Sequence, residues 1–392
     1  MFGGILASSR TPLGLDFGTR SVRLLQLGCG KQEWAVAAAA EAALPADLPA
    51  QGPDRHTALV ELLKGLLAQG GFRGRKVVSC LPSACVQYKS VRLPRMPDEE
   101  MRTAVEWEAK ERMRPAHASA NAGELIVQFY DAGEVRQGEE ARQEIIVMAA
   151  EASAVTEHVA ALRAAGLVPL AIDAAPSALA RALARTGAAL PGASTDSSAP
   201  EEEAPARFIL DVGFGVSKVL IVRQGRIVFY KTIEIGGGRF DQTVATKLNL
   251  PLADAAHIRS SLRREEPAAA SPPLFGSDRR ESVERAVFEA LRPLVEELVR
   301  EVGLCLRYYG VTFRGRRPEQ VLLAGGEAGE PSLIKALTQE ASLQVAPAQP
   351  LVAIDPALLL NQGVPAQSLA AWSVATGLCL RPPARQAQRR AA

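Results

Sequence analysis

Two segments of this chain decide its fold: LGLDFGTRSVRLLQL at residues 13–27 and FILDVGFGVSKVLIV at residues 208–222. In each, an apolar run ends in Asp-x-Gly, and a second apolar run begins a few residues later. Two apolar runs joined by a short glycine turn predict a β-hairpin. The aspartates, Asp16 and Asp211, are 195 positions apart (211 minus 16), so the chain carries one hairpin unit twice.

The residues of the two turns suit phosphate and cation binding. An aspartate at a strand end presents a carboxylate to a cation, and Mg²⁺ prefers such oxygens, directly or through retained water. Glycine lets the backbone approach a phosphate, and successive N–H groups with nearby hydroxyls form an anion site. The candidate residues are Asp16, Gly18, Thr19 and Ser21 in the first turn and Asp211, Gly213, Gly215 and Ser217 in the second. One such turn is a common pattern, but two facing copies would hold one nucleotide from both sides.

A third unit, VLLAGGE at residues 321–327, reads as a buried strand that ends in Gly325 and Gly326. Pro331 and a predicted helix over 332–340 follow it. Paired glycines at a strand end let a flat base or ribose pack against the backbone. A tight strand-to-helix turn is the alternative interpretation. Together with the two hairpins, the unit favours a nucleotide site.

The rest of the chain alternates strands and helices, which indicates an α/β fold. Helical periodicity covers residues 58–68, 98–112, 154–165 and 283–308. In the 98–112 helix Met101, Val105 and Trp107 are predicted core residues, and a place in a partner-binding groove is the alternative for Trp107. Low apolar content predicts solvated linkers or loops at 186–206 and 263–277 and a solvated basic tail at 381–392.

Composition excludes several classes of protein. A length of 392 residues predicts two lobes or more. A net charge of +2 argues against a dedicated nucleic-acid binder. Five scattered cysteines and four dispersed histidines argue against a disulfide framework or a metal site built from them. We expect a cytoplasmic protein, because no apolar run approaches the roughly 20 residues of a membrane span and the start lacks signal-peptide features.

The order of these three units resembles the phosphate-1, phosphate-2 and adenosine motifs of the actin, sugar-kinase and heat-shock-chaperone superfamily. Residues 13–23, and 93–97 followed by the 98–112 helix, are most similar to the PilM family of type IV pilus assembly proteins and the related FtsA family. The resemblance implies an α/β, actin-like ATPase (ribonuclease H-like) fold with two lobes and an inserted small α+β subdomain. The implied boundaries are 1–83 with 169–200 for the first lobe, 84–168 for the subdomain and 207–380 for the second lobe.

The resemblance also implies ATP and Mg²⁺ as cofactors. By this likeness Asp16 and Asp211 hold the Mg²⁺ shell, directly or through water, and the other turn residues line the phosphates. The adenosine residues would be Gly325, Gly326 and Glu327, with Gly236 and Gly237 in a turn ahead of a nearby helix. Arg259 matches a family lysine, and Arg23 stands where relatives usually have lysine, which keeps the charge but changes the geometry.

The implied partner is the N-terminal cytoplasmic peptide of a PilN-like inner-membrane protein, bound in a groove beside the inserted subdomain. The assembly would connect to the pilus or secretion motor and recruit this chain peripherally to the membrane; a homo-oligomer stays open. We identify no residue that orients the attacking water, so hydrolysis is expected to be slow or absent and the catalytic residues are unknown. A small-molecule (sugar) kinase and a filament protein of the same superfamily are the alternatives.

Overall fold

The structure is a computed structural model that describes residues 9–30, 33–45, 48, 53–113, 123–137, 140–184, 205–263, 277–314, 317–339, 341 and 343–382. Three expectations therefore fall wholly or mainly outside the described residues. They are the linkers, at 186–204 and 264–276, and the tail, at 383–392.

Strands and helices alternate along the described chain. The strands are β1 (Ser9–Arg10), β2 (Leu13–Phe17), β3 (Ser21–Cys29), β4 (Trp34–Ala43), β5 (Lys76–Cys80), β6 (Gln87–Pro94), β7 (Leu125–Gln137), β8 (Glu140–Glu151), β9 (Val168–Asp173), β10 (Ala206–Val212), β11 (Ser217–Arg223), β12 (Arg226–Ile233), β13 (Gln320–Ala324), β14 (Gln344–Pro347) and β15 (Ile354–Asp355). The helices are α1 (Pro53–Gln69), α2 (Asp98–Arg112), α3 (Ala152–Ala164), α4 (Ala175–Leu183), α5 (Gly237–Leu248), α6 (Leu252–Arg263), α7 (Ser277–Phe313), α8 (Pro331–Gln339), α9 (Ala357–Asn361) and α10 (Ser373–Cys379). Short 3-10 segments cover Ser83–Cys85 and Ala366–Trp372.

Two sheets share one strand order. The first contains β4-β3-β2-β5-β9 and the second β12-β11-β10-β13-β14. In both, the first three strands pair antiparallel and the last two join in parallel. Parallel neighbours need long crossovers, which the intervening helices supply. The repeated hairpin of the sequence is thus the centre of a repeated sheet, and both predicted hairpins are confirmed.

The two hairpin turns are closed by equivalent backbone hydrogen bonds. Gly18 N donates to Ser21 O and Gly213 N donates to Val216 O, each at 3.0 Å. The strands on either side are largely buried and apolar. Each lobe therefore presents the turn that follows its aspartate at one end of its central strands.

A third sheet, in the order β6-β8-β7, is inserted between β5 and β9. Helix α2 begins and ends at the predicted residues, with three acidic residues in its first turn and Lys110 and Arg112 in its last. This charge order favours the helix dipole. Met101 and Val105 are buried as predicted, but the prediction for Trp107 was wrong, because its side chain is 60% exposed. It lies two positions beyond Val105 and so projects from another face of the helix.

A polar contact joins this inserted sheet to the second lobe. Glu144 of β8 is buried and accepts hydrogen bonds from Arg92 Nε at 2.9 Å and from Tyr308 Oη of α7 at 2.8 Å. A buried carboxylate needs such partners to offset its lost hydration. The contact therefore fixes the inserted sheet against α7.

The last elements of the described chain return to the first lobe. Strand β15 pairs with β4, and α10 is buried along its whole length against α4 and β2. Gly14 and Gly377 permit this packing, because a Cβ on either would collide with backbone atoms of the opposing element. The division of the chain into two lobes and a subdomain remains a prediction. By these contacts, residues 354–355 and 373–379 pack with the first sheet, although the predicted boundaries assign them to the second lobe.

Candidate functional site

The two hairpin turns meet in space. Thr19 of the first turn packs against Gly215 of the second, where an added Cβ would lie 2.9 Å from Thr19 Oγ1. The guanidinium of Arg20 lies 5.1 Å from the centre of the Phe214 ring and 4.0 Å from Asp241. Units separated by 195 positions in the sequence (211 minus 16) thus form the two sides of one site.

The two aspartates lie at the ends of their strands and experience each other electrostatically. Burial raises the pKa of Asp16 above its ordinary value; Arg23 and Lys218 oppose this rise and Asp211 adds to it. Lys218 Nζ lies 3.4 Å from Asp211 Oδ2. Burial alone would lower the pKa of Lys218, but Asp211 and Asp16 help hold it above the usual lysine value. The site therefore contains an internal cation.

As its side chains stand, the pair of aspartates does not fit a divalent metal. The ammonium of Lys218 already neutralises Asp211, and a second cation there would be repelled by it. Within the described ranges, no three His, Cys, Asp or Glu side chains are grouped to hold a metal ion. The side chains of this site therefore give the predicted magnesium role of Asp16 and Asp211 no support, because an ammonium already stands beside Asp211.

Ser217 and Arg23 have other partners than the expected phosphate. Ser217 is fully buried and its Oγ donates to Ile235 O at 2.6 Å. Arg23 binds Glu41 at 2.7 Å. Both side chains thus support the sheets behind the turns. Thr19, which is exposed, and Ser21, which is partly buried, are the predicted hydroxyls that remain nearer the surface.

The start of α5 is joined to the second turn. Gly237 N donates to Gly213 O at 3.0 Å and Gly238 N donates to Phe214 O at 2.8 Å. These carbonyls satisfy two N–H groups that a helix start otherwise leaves free. A Cβ on Gly236 would meet the same turn backbone, so the predicted glycine pair serves close packing of helix against turn.

A buried charge cluster stands at the predicted adenosine end. Arg259 is 1% exposed and donates to Asp241 at 2.5 Å, Glu327 at 2.6 Å and Glu330 at 2.7 Å. Arg263 also pairs with Glu327. Burial, with a contribution from Arg259, lowers the pKa of Arg263 to about 10. The predicted residues Arg259 and Glu327 are thus brought together, and they bind each other.

The adjacent glycines hold this cluster close to the second turn. Gly325 has φ of 91°, a left-handed backbone that glycine adopts at little cost. An added Cβ there would collide with Val212 O, and one on Gly237 would collide with Glu327. Beyond the cluster, a cleft of about 400 Å³ lies between α6, α7 and α8. Its lining includes Leu262, Arg285, Phe288, Glu330 and Lys335.

A buried Ser–His pair lies behind the first turn. Ser79 Oγ of β5 is 2.9 Å from His158 Nε2 of α3, and the Phe17 ring packs edge-on against the imidazole at 5.0 Å. Burial lowers the pKa of His158 to about 4. The imidazole is therefore neutral near pH 7 and acts as a packed core group.

An apolar groove opens between the first sheet and the inserted sheet. It has a volume of about 160 Å³. Its lining includes Tyr88, Ile126, Met148, Val155, Ile172 and Ala175, with Lys218 and Asp173 as charged members. Asp173 is held by Arg181 at 3.0 Å and Arg381 at 2.8 Å. The groove connects the inserted subdomain to the neighbourhood of the aspartate turns.

Lys218, Asp241 and Arg263 were missed by the sequence analysis. A signal existed for Lys218, since it stands seven positions after Asp211, as Arg23 does after Asp16 (218 minus 211 and 23 minus 16). Strand pairing places each cation directly opposite its aspartate. Asp241 and Arg263 carry no comparable signal, because their roles depend on how α5 and α6 pack.

Two sheets of one order, with their aspartate turns facing each other, define the class: this protein has the actin-like ATPase fold. The ethanolamine utilization protein EutJ of Carboxydothermus hydrogenoformans shares that fold at 14% identity and a TM-score of 0.50, over 95% of this chain and 89% of EutJ. The chain belongs to the family of the type IV pilus assembly protein PilM, whose family model matches residues 14–269.

A solved PilM–PilN type IV pilus biogenesis complex is similar to the chain at 25% identity and a TM-score of 0.71. The match covers 95% of this chain and 98% of that one. None of the helices in the described ranges combines the length and apolar character of a membrane span. The fold class and the family expected from the sequence are therefore confirmed.

Proposed function

We propose that this protein is an ATP-binding scaffold of type IV pilus assembly, or of a related type II secretion system. In this role it binds the N-terminal cytoplasmic peptide of a PilN-like inner-membrane protein. Family membership and the similarity to a PilM–PilN complex support the class of partner. The partner would recruit the chain from the cytoplasm to the inner membrane, beside the pilus motor.

The apolar groove is the observation that carries the peptide proposal. It lies between β9, at the edge of the first sheet, and β7, at the edge of the inserted sheet. Edge strands offer free backbone groups, and apolar pockets beside them accept alternate side chains of an extended peptide. Ile126 is 43% exposed at this edge although it is apolar. A peptide with a few apolar side chains would cover it.

The contact between the two turns supports nucleotide binding. Gly215 lets the second turn pack directly against Thr19 of the first, and Lys218 carries a positive charge beside Asp211, the aspartate of the second turn. An ammonium suits phosphate as a point charge. We also propose that hydrolysis is slow or absent. A phosphate-release assay with ATP, in which brisk turnover is lost in Asp211→Ala, would contradict it.

A peptide titration tests the partner proposal. A labelled peptide from the N-terminus of the PilN-like protein encoded in the same genome is added to wild type and to Ile126→Asp. We expect an affinity at least about tenfold weaker for the variant, because a carboxylate in an apolar groove lacks a partner.

Val311→Asp is the matched control, since Val311 is 75% exposed on α7 and does not line the groove. It should bind as wild type does. Equal affinity of Ile126→Asp and wild type would remove the groove from the proposal, and absence of binding by wild type would overturn the partner.

A further inference from the structure

Each lobe contains a row of three residues across its central strands. In the first lobe Asp16 lies opposite Arg23, which lies opposite Glu41. In the second lobe Asp211 lies opposite Lys218, which lies opposite Thr232. Facing residues on adjacent strands project from the same side of the sheet and interact. Each cation is therefore within reach of the residues on both its neighbours.

The third member of each row determines where the cation is held. Arg23 has a carboxylate on either side and pairs with Glu41 at 2.7 Å. Thr232 carries no charge, so Lys218 has its aspartate as the charged neighbour in the row and stays 3.4 Å from it. Both side chains of that pair are mostly buried, at 15% and 10% exposure. An ammonium held in this way keeps a positive charge beside Asp211 and close enough to Asp16 to act on it electrostatically.

We infer that Lys218 is the resident cation of this site and takes the place of the divalent metal that the fold implies. The consequence for nucleotide rests on the proposed function: the phosphates would be met by the ammonium of Lys218, and Mg²⁺ would not be required for binding. A divalent ion would have to enter beside a fixed positive charge, which opposes its binding. Lysine is otherwise a common phosphate-binding residue.

The metal arm of the test uses Mn²⁺ alone, without nucleotide. Full-length wild type, Lys218→Met and Thr232→Glu are titrated with Mn²⁺. Electron paramagnetic resonance measures how much Mn²⁺ is bound. We expect no stoichiometric site in wild type. Lys218→Met should gain one, at least about tenfold tighter than any wild-type binding, because the repelling charge is gone.

Thr232→Glu is the second variant and keeps the lysine. A carboxylate at position 232 would reproduce the row of the first lobe and draw the ammonium away from Asp211, so this variant should also gain Mn²⁺ binding. It keeps the inference testable if Lys218→Met does not fold. Lys231→Met is the matched control, because Lys231 stands beside Thr232 on β12 but pairs with Glu301 of α7, so its loss should leave Mn²⁺ binding unchanged.

The nucleotide arm compares ATP binding with and without Mg²⁺. Wild-type affinity should change less than about threefold when Mg²⁺ is removed, whereas that of Lys218→Met should fall at least about tenfold. One tight Mn²⁺ in wild type, or wild-type ATP binding that needs Mg²⁺, overturns the inference. If no protein binds ATP, the nucleotide part of the proposed function fails, and the Mn²⁺ arm still decides the role of Lys218.

Discussion

The two hairpins of this protein share strand order, turn length and turn hydrogen bond, yet they differ in what surrounds them. Behind the first turn lie a neutral Ser79–His158 pair and a helix packed on Gly14. Behind the second turn lies the buried cluster around Arg259. Asp16 lies opposite Arg23, which pairs with Glu41 instead. Asp211 lies opposite Lys218, which pairs with it. A repeated fold can thus keep its geometry while its two halves take different electrostatic roles.

Removing Arg259 tests the second turn and should have the largest effect. Among the described residues, Arg259→Met leaves Asp241, Glu327 and Glu330 with Arg263 and a distant Arg20 as counter-charges. Breaking a buried ion network by removing one member costs about 3–5 kcal/mol. We expect a loss of unfolding free energy of about 4 kcal/mol in urea.

The control is Arg285→Met, an exposed residue of the neighbouring cleft, which should stay within about 0.5 kcal/mol of wild type. A loss below about 1 kcal/mol for Arg259→Met would mean that the cluster contributes no more than a surface pair.

Filling Gly14 tests the first hairpin. Its counterpart two positions before the second aspartate is the buried Ile209, so only the first lobe uses a glycine there. Gly14→Ala would drive a methyl into the backbone of α10, and overpacking of this kind costs about 3 kcal/mol. Thermal and urea unfolding measure the loss.

Gly65→Ala is the control for this prediction. The added methyl meets nothing within 4 Å, and alanine is the better helix former, so a small gain of about 0.5–1 kcal/mol is expected. If Gly14→Ala were as stable as wild type, the close packing of α10 on β2 would be contradicted.

Acid should weaken the first lobe through His158. Its folded pKa is about 4, below the usual value near 6.5. The unfolded chain therefore binds the proton first, and stability present above pH 6.5 is lost as pH falls toward 4. Between pH 7 and pH 5 the loss from this residue is about 2 kcal/mol.

Glutamine does not titrate, so in His158→Gln the free energy of unfolding should fall by about 2 kcal/mol less between pH 7 and pH 5 than in wild type. Urea unfolding at the two pH values measures this. An unchanged slope would contradict a buried neutral imidazole.

The smallest effect is expected at Glu41. Glu41→Thr gives the first row the same third member as the second and frees Arg23 to face Asp16. The lost pair is partly exposed, so the free energy of unfolding should fall by less than about 1 kcal/mol. A double-mutant cycle with Arg23→Met measures the pair directly. A coupling well above that value would show that Arg23 is held more firmly than its exposure suggests.

Local patterns predicted much of the fold. The hairpins at Asp16 and Asp211 and the bounds of α2 follow from apolar runs, glycine turns and charged helix ends, all of which are short-range signals. The repeat of one unit also predicted that two distant turns would face each other, and they do.

The identity of the side-chain partners could not be predicted in the same way. The charged partner of Lys218 depends on which residue strand pairing places beside it. That residue is the uncharged Thr232, and the register of β11 against β12 decides this, not a sequence distance. Arg259 meets carboxylates 18, 68 and 71 positions away on separate elements. Trp107 is one of the apolar residues of α2, so the sequence favours a core position for it. The packing of α2 leaves its side chain exposed instead.

The return of α10 to the first sheet has a consequence for the order in which this protein matures on the ribosome. Strand β2 emerges early, but the helix that covers it is made only after the whole second lobe. Domains generally fold as units during synthesis. The lobe that is translated first is therefore completed last, and its apolar face around Gly14 stays uncovered until residues 373–379 have left the exit tunnel.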